Sequence, residues 1–185
     1  MLKTTLQTHL RDILSDEGAV MSDAELDRII DLTIYDYSLM RPTTSTFDIT
    51  TSTGTLDYAL DETAIGVLSV VNSAATITAA VQFGQSIRFA ADPGDGVYTV
   101  TATALHEATS GNYATIPNYD LNMLLDIGTY QILERIALDI ARRPDIVDGQ
   151  TSERWRDSAS LLYQRAATLR DKVTSNTTDE FVFVG

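Results

Sequence analysis

The residues best equipped for chemistry in this chain are few and scattered. His106 and Glu107 stand side by side in "LHEATSGNYATIP", and an imidazole that titrates near neutrality beside an orienting carboxylate is the raw material of acid–base or metal chemistry. A zinc-protease helix would need a second histidine one turn away. The other histidine is His9, so a solvated loop pair is the plainer reading. Asp92 and Asp95 in "ADPGDG" offer the hard oxygen ligands that calcium takes, but the ligand spacing and closing Glu of an EF-hand are missing, and turn chemistry accounts for both. Asp57 and Asp61 lie four apart in a strand-like segment and so share a face, as a glycosidase carboxylate pair does. Among 26 acidic residues chance pairs are expected, and these read as surface charge.

Arg142 and Arg143 in "ARRP" sit where a helix ends, so they either offset the helix dipole or reach an acidic neighbouring subunit. Together with His106 and Tyr113 they are the candidates for a subunit interface. The sequence contains no Gly-rich phosphate loop, no nucleophile elbow and no dinucleotide fingerprint. No catalytic residue, no metal ligand set and no cofactor is assigned, and the chain reads as a non-enzyme.

Composition narrows the classes further. There is no cysteine, which removes disulfides, thiolate metal sites and a thiol nucleophile. The formal net charge is −13, which argues against sequence-specific nucleic-acid binding, because affinity for phosphate comes mostly from Lys and Arg. The opening "MLKTTLQTHLRDIL" has no apolar run of the signal-peptide kind, and no stretch approaches the roughly 20 apolar residues of a membrane span. Hydrophobic and charged contents of 44% and 21% over 185 residues are those of a globular chain.

The elements follow from periodicity. Leu2, Leu6, Leu10 and Ile13 mark a helix over about Leu2–Leu14, ended by "SDEG" with Gly18 as a left-handed residue. "SDAE" reads as a capping box between Ser22 and Glu25, followed by Leu26, Ile29, Ile30, Ile34, Tyr37 and Met40 as the stripe of a second helix reaching Pro42. From Thr43 to Ala104 the period changes to two, and "TFDIT", "LDYAL", "GVLSVV", "TITAAV", "SIRFAA" and "VYTVTATA" read as short antiparallel strands. In the last, Tyr98, Val100 and Ala102 face one way and Thr99, Thr101 and Thr103 the other. After an irregular stretch over 105–117, Asn118 is placed as the cap of a helix over Tyr119–Ala141, with Leu121, Leu124, Leu125, Gly128, Ile132, Ile136 and Ile140 as its stripe and Pro144 beyond it. Trp155, Ala159, Leu162, Ala166, Leu169 and Val173 form a heptad seam on the last helix.

The expected fold is therefore α+β: a helical bundle of two N-terminal and two C-terminal helices, with an inserted antiparallel β module. The domain expected is a single one over 1–174, with the module at 43–104 and an extended docking tail at 175–185. That tail carries Phe181, Val182, Phe183, Val184 and Gly185. Four apolar residues of high β propensity need cover, worth on the order of 6–10 kcal/mol gross, and a strand added to a partner's sheet edge or a plug in a partner's groove supplies it.

The order of these pieces resembles that of tailed-bacteriophage head-to-tail adaptor (connector) proteins. "MSDAELDRIIDLTIYDYSLM" is similar to their opening helix, with its "E-L-D-x-x-I" form. "TFDITTSTGTLDYALDETAIGVLSVV" is similar to their β segment, with a "Y-x-L" and then a "V-x-x-V" strand. "SIRFAADPGDGVYTVTATA" resembles their paired strands around a Pro-containing turn, and "IPNYDLNMLLDIGTYQILERIA" their long second-half helix introduced by "I-P". The likeness spans about residues 20–170 and rests on order and spacing. It implies a structural protein of the virion neck, made in the host cytoplasm: a homo-oligomeric, dodecameric ring beneath the portal protein, joined to a tail or stopper (nozzle) protein, around the channel through which DNA leaves the capsid. It also implies that Phe181–Gly185 is the segment that docks on the portal. An acidic surface suits a channel wall to which DNA does not adhere. Two other readings stay open, a virion carbohydrate- or host-binding module using "YTVTATA" and the 105–117 loop, and a metal-dependent hydrolase using His106.

Overall fold

A computed structural model describes residues 3–74, 76–106, 115–142 and 149–178, with backbone alone at 149–156 and 176–178. Helices α1 (Lys3–Asp16) and α2 (Asp23–Met40) come first. Six strands follow: β1 (Thr43–Thr51), β2 (Asp57–Ala59), β3 (Ala64–Asn72), β4 (Ala80–Phe83), β5 (Ser86–Phe89) and β6 (Gly96–Ala104). A 3-10 turn at Asn118–Asp120 leads into α3 (Leu121–Ala141), and α4 covers Gly149–Thr178. The fold is α+β, with helices at both ends and the antiparallel β segment between them, as the periodicity implied.

The chain divides into two compact units, a helical one holding α1–α4 and a β one over residues 41–107. This differs from the single domain read from sequence, and the reason is that the apolar residues form two separate cores. Helix stripes bury against helix stripes, and sheet faces against sheet faces, with no residue common to both clusters.

In the helical unit the local signals act as their chemistry requires. Gly18 ends α1 with a φ of 62°; its N–H donates to the Ser15 carbonyl at 3.1 Å, and the Ala19 N–H donates to the Leu14 carbonyl at 2.8 Å. That pair of bonds is a Schellman closure, which a residue with a Cβ adopts only under strain. The capping box at α2 is reciprocal: the Glu25 N–H donates to Ser22 Oγ at 3.3 Å, and the Ser22 N–H and hydroxyl donate to Glu25 Oε2 at 3.2 and 2.8 Å. These donors, the Ser22 hydroxyl first, hold the Glu25 carboxyl below the usual carboxylate range.

The other three helices all pack against α3. Leu6, Leu10 and Leu14 of α1, Leu26, Ile30, Ile34 and Tyr37 of α2, and Ala159, Leu162, Ala166 and Val173 of α4 are buried. The α4 seam is the heptad read from sequence, although the Trp155 side chain lies outside the described residues. α4 runs antiparallel to α3, with Lys172 against Asp126, Arg170 against Glu134, and Ala159 near Ala141. Because α3 is covered on several sides, Ile127, Tyr130, Leu133 and Ala137 are buried in addition to Leu124, Gly128, Ile132 and Ile136 of the predicted stripe, whose Leu121, Leu125 and Ile140 are only partly buried.

Three boundaries differ from the sequence reading. Asn118 does not cap α3; it opens the 3-10 turn, and neither Pro117 nor Asp120 makes a side-chain cap. α4 continues to Thr178, past the expected start of the extended tail at 175. Its last turns are held by Val173 in the seam and by hydroxyl bonds to carbonyls earlier in the helix, from Thr174 to Arg170 and from Ser175 to Lys172, which polar sequence alone does not signal. In "TITAAV" the strand begins only at Ala80, while Ile77 makes an isolated bridge to Val71.

The β unit consists of two three-stranded antiparallel sheets, ordered β1-β6-β3 and β2-β5-β4. Their inner faces share one cluster built on Ile49, Val70, Ile87, Phe89, Tyr98 and Val100. Phe89 is its centre, edge-on to Tyr58 at 5.7 Å and to Tyr98 at 5.1 Å. On β6, Tyr98, Val100, Ala102 and Ala104 are buried and alternate with partly exposed residues, which is the alternation the sequence predicts.

Gly128 shows how tightly the helical core is drawn together. A Cβ there would stand 3.0 Å from Leu10 Cδ2 and 3.4 Å from both Leu6 Cδ1 and Thr33 Oγ1, so α1 and α2 approach α3 where it has no side chain. Gly128→Val is expected to destabilise the chain by about 1–3 kcal/mol through overpacking, read as a lower denaturant midpoint at unchanged slope.

Candidate functional site

His106 is buried, at 7% exposure, and its Nε2 lies 2.8 Å from the Arg41 carbonyl, a pairing in which the ring nitrogen donates. The imidazole thus ties the end of the β unit to its beginning. Among the described residues no group of three His, Asp or Glu side chains is placed to hold a metal ion. Arg142 is exposed at the C-terminal end of α3, where its N–H donates to the Leu138 carbonyl at 3.0 Å. Glu107, Tyr113, Arg143 and the docking segment Phe181–Gly185 lie outside the described residues.

The acidic pairs have separate local uses. Asp92 accepts the Gly94 N–H and the Gly54 N–H, both at 2.9 Å, and Asp95 accepts the Thr53 N–H at 2.7 Å. These bonds join the β1–β2 and β5–β6 turns, which is the turn chemistry expected of "DPGDG". Asp57 takes a two-point bond from Arg88, with both distances 2.6 Å, and the guanidinium holds its carboxyl below the usual range. Asp61 accepts the hydroxyl and N–H of Thr63, and these donors lower its pKa.

Two polar ties inside the helical unit escaped the sequence reading. Tyr37 donates to Asp120 Oδ2 at 2.6 Å, both groups being buried. Asp120 precedes α3 and caps nothing there, so its carboxylate instead takes the phenol of α2. The second tie links α2 and α3 through Thr33, Gln131, Asp36 and Tyr130. The Thr33 hydroxyl lies 2.7 Å from Gln131 Oε1, while Gln131 Nε2 and the Tyr130 hydroxyl donate to Asp36 Oδ2 at 2.7 and 3.1 Å. Burial pushes the Tyr130 phenol up to about 12, assisted by the charge and hydrogen bond of Asp36. A phenol so raised stays protonated and donates, so it serves as a clamp between helices and not as a base.

Besides its charges, the helical unit exposes a set of apolar side chains. Leu32, Tyr35 and Leu39 on the outer side of α2 are 50%, 48% and 51% exposed, and their spacing of three and four places them on one ridge. Beside the ridge a groove of about 580 Å³ runs between α2, α3 and α4, its walls mixing Ile29, Leu32, Leu138 and Tyr163 with Asp36, Glu134 and Arg135. Arg170 stands over the Tyr130 ring at 5.4 Å in the same groove. The signal for this second stripe is present in the sequence as the 32, 35, 39 spacing, but spacing alone does not fix which face of a helix stays exposed. Compared with known proteins, the chain matches no family model and no curated protein.

Two outcomes test the polar ties. Tyr37→Phe deprives the buried Asp120 of a donor and is expected to cost about 1–3 kcal/mol, measured by equilibrium unfolding in denaturant. The raised Tyr130 phenol favours the folded state in full below its ordinary pKa of 10.0, and that contribution is lost as pH climbs from 10.0 towards about 12. The unfolding midpoint of the native chain should therefore fall more steeply across that window than that of Tyr130→Phe.

Proposed function

We propose that the chain is a structural, non-enzymatic subunit of a phage virion neck, a head-to-tail adaptor that assembles as a ring beneath the portal protein and links it to a tail or stopper protein. The observation that carries this reading is the apolar ridge Leu32, Tyr35 and Leu39 beside an open groove. Apolar side chains grouped on one exposed helix ridge, beside a groove that mixes apolar and charged walls, suit the core and polar rim of a contact with another macromolecule. The order of elements adds support, because helices flanking an antiparallel segment are what the resemblance to head-to-tail adaptors calls for. A ring is the natural use of two different lateral surfaces on one subunit, and Arg142, exposed at the end of α3, is a cation available to an acidic neighbour. In this reading Phe181–Gly185 is the docking segment, and the net charge of −13 keeps DNA from adhering to the particle's channel.

A carbohydrate-binding role on "YTVTATA" has less behind it. Those residues form β6, the central strand of its sheet, with Tyr98, Val100 and Ala102 buried. Of the alternate hydroxyls, Thr99 donates to Asp48 and Thr103 to the Gly66 carbonyl.

Light scattering coupled to size exclusion, on the chain alone and mixed with its cognate portal protein, tests the adaptor reading. The expected outcome is several copies co-migrating with the portal, and a folded variant lacking residues 181–185 that no longer does so. A monomer that ignores the portal would overturn it.

A further inference from the structure

A sheet edge presents unpaired N–H and C=O groups, so a β protein either guards its edges or uses them to recruit a strand. The two edges of the β1-β6-β3 sheet are treated in opposite ways. On the β3 side the ladder is irregular between Ala64 and Gly66 and between Val67 and Ser69. Two glutamines then occupy the exposed backbone. Gln82 Oε1 accepts the Val67 N–H at 2.8 Å while its Nε2 donates to the Ile65 carbonyl, and Gln85 Nε2 donates to the Ala64 carbonyl. Further along, the Thr78 N–H donates to the Val70 carbonyl. That edge is closed.

On the β1 side, nine residues pair with β6 in unbroken register from Thr43 opposite Ala104 to Thr51 opposite Gly96. Among the described residues no backbone group turns to the outer side of this strand for a partner, although every second residue of an edge strand points both its N–H and C=O that way. The usual guards are missing as well. β1 has no lysine, proline or bulge, and its one charge, Asp48, accepts the Thr99 hydroxyl of β6 at 2.8 Å. Its inner face brings Phe47, only half-buried, beside Ile49, while Thr46, Asp48 and Thr50 are exposed on the other face.

One segment of the chain matches this edge in chemistry. Phe181, Val182, Phe183 and Val184 alternate two aromatic with two β-branched residues, so as a strand they lay both Phe on one face and both Val on the other. Beside β1 that places the Phe pair along Phe47 and Ile49 and the Val pair along the threonines, cross-strand neighbours of the favourable kind.

We propose that the outer edge of β1 is the receptor for Phe181–Val184 of a second copy, which adds as a further strand. The inference shares with the neck reading only the assignment of Phe181–Gly185 as a docking segment, and it moves the target of that segment from the portal to the adjacent subunit. Donor and acceptor are assigned to different copies because a ring calls for a lateral contact between copies, which a segment closing on its own chain does not supply. A strand given by one copy and taken by the next is also a heterologous contact, the kind that closes into a ring.

The absence of native cysteine allows a direct test on the full chain. Thr46→Cys combined with Val182→Cys, mildly oxidised and run without reductant, is expected to produce a ladder of covalent multimers. Either substitution alone should give no species above a dimer. A double variant that stays monomeric, whether unlinked or closed on itself, overturns the proposal. Should the cysteines disturb folding, hydrogen exchange on the unmodified chain reads the same contact. Peptides across residues 43–51 should lose protection on dilution and in Phe181→Asp/Phe183→Asp, and protection indifferent to both would sink the idea. A ladder without portal co-migration leaves this inference standing and removes the neck assignment, whereas portal co-migration without a ladder does the reverse.

Discussion

The burial of α3 is the constraint on which the helical unit depends. Three other helices pack on it, so it needs apolar residues around much of its circumference, and it has them from Leu124 to Ala137. The stability of such a helix comes from packing more than from propensity. Gly128 sets how near α1 and α2 approach, and the small residues Ala159 and Ala166 do the same for α4. Everything else in this unit, from the Schellman turn at Gly18 to the capping box at Ser22, serves to aim helices at that one surface.

Polar groups within this core act as fasteners. The Tyr37–Asp120 bond and the Thr33–Gln131–Asp36–Tyr130 chain specify how α2 meets α3, since buried polar groups tolerate few alternative pairings. The ion pairs on the surface, such as Arg11 with Asp23 or Lys172 with Asp126, are exposed and contribute about 0–1 kcal/mol each. Specificity of the helix arrangement therefore rests on the interior bonds.

The β unit solves a different problem. Its sheets are small, and an antiparallel sheet of three strands is stable only when one face is covered. Phe89, set between Tyr58 and Tyr98, joins the two sheets through a shared interior. The turns at 52–55 and 92–95 are tied to each other by Asp92 and Asp95, so the acids that resembled a cation loop in sequence are spent on backbone N–H groups. The same unit shows that charge in a sequence is not charge available for chemistry, because Asp48, Asp57, Asp61, Asp92 and Asp95 all accept hydrogen bonds within it.

Sequence alone determined the elements whose signals are local. The stripes of α2 and α4, the capping box at Ser22, the left-handed Gly18 and the alternation along β6 were legible, because each is settled by neighbours within one or two turns or along one strand; of the α1 stripe Leu6 and Leu10 are buried, with Leu14 in place of the half-buried Ile13 and with Leu2 outside the described residues. The outer ridge of α2 at Leu32, Tyr35 and Leu39 was legible in spacing but not in meaning, since exposure is known only once the other face has found its partners. Asn118 as a cap, the end of α4 at Thr178, the division into two cores, and the burial of His106 against Arg41 were decided by the tertiary structure. Each depends on groups distant in the chain, and the free energy of a long-range contact has no trace in the local pattern until the chain has folded around it.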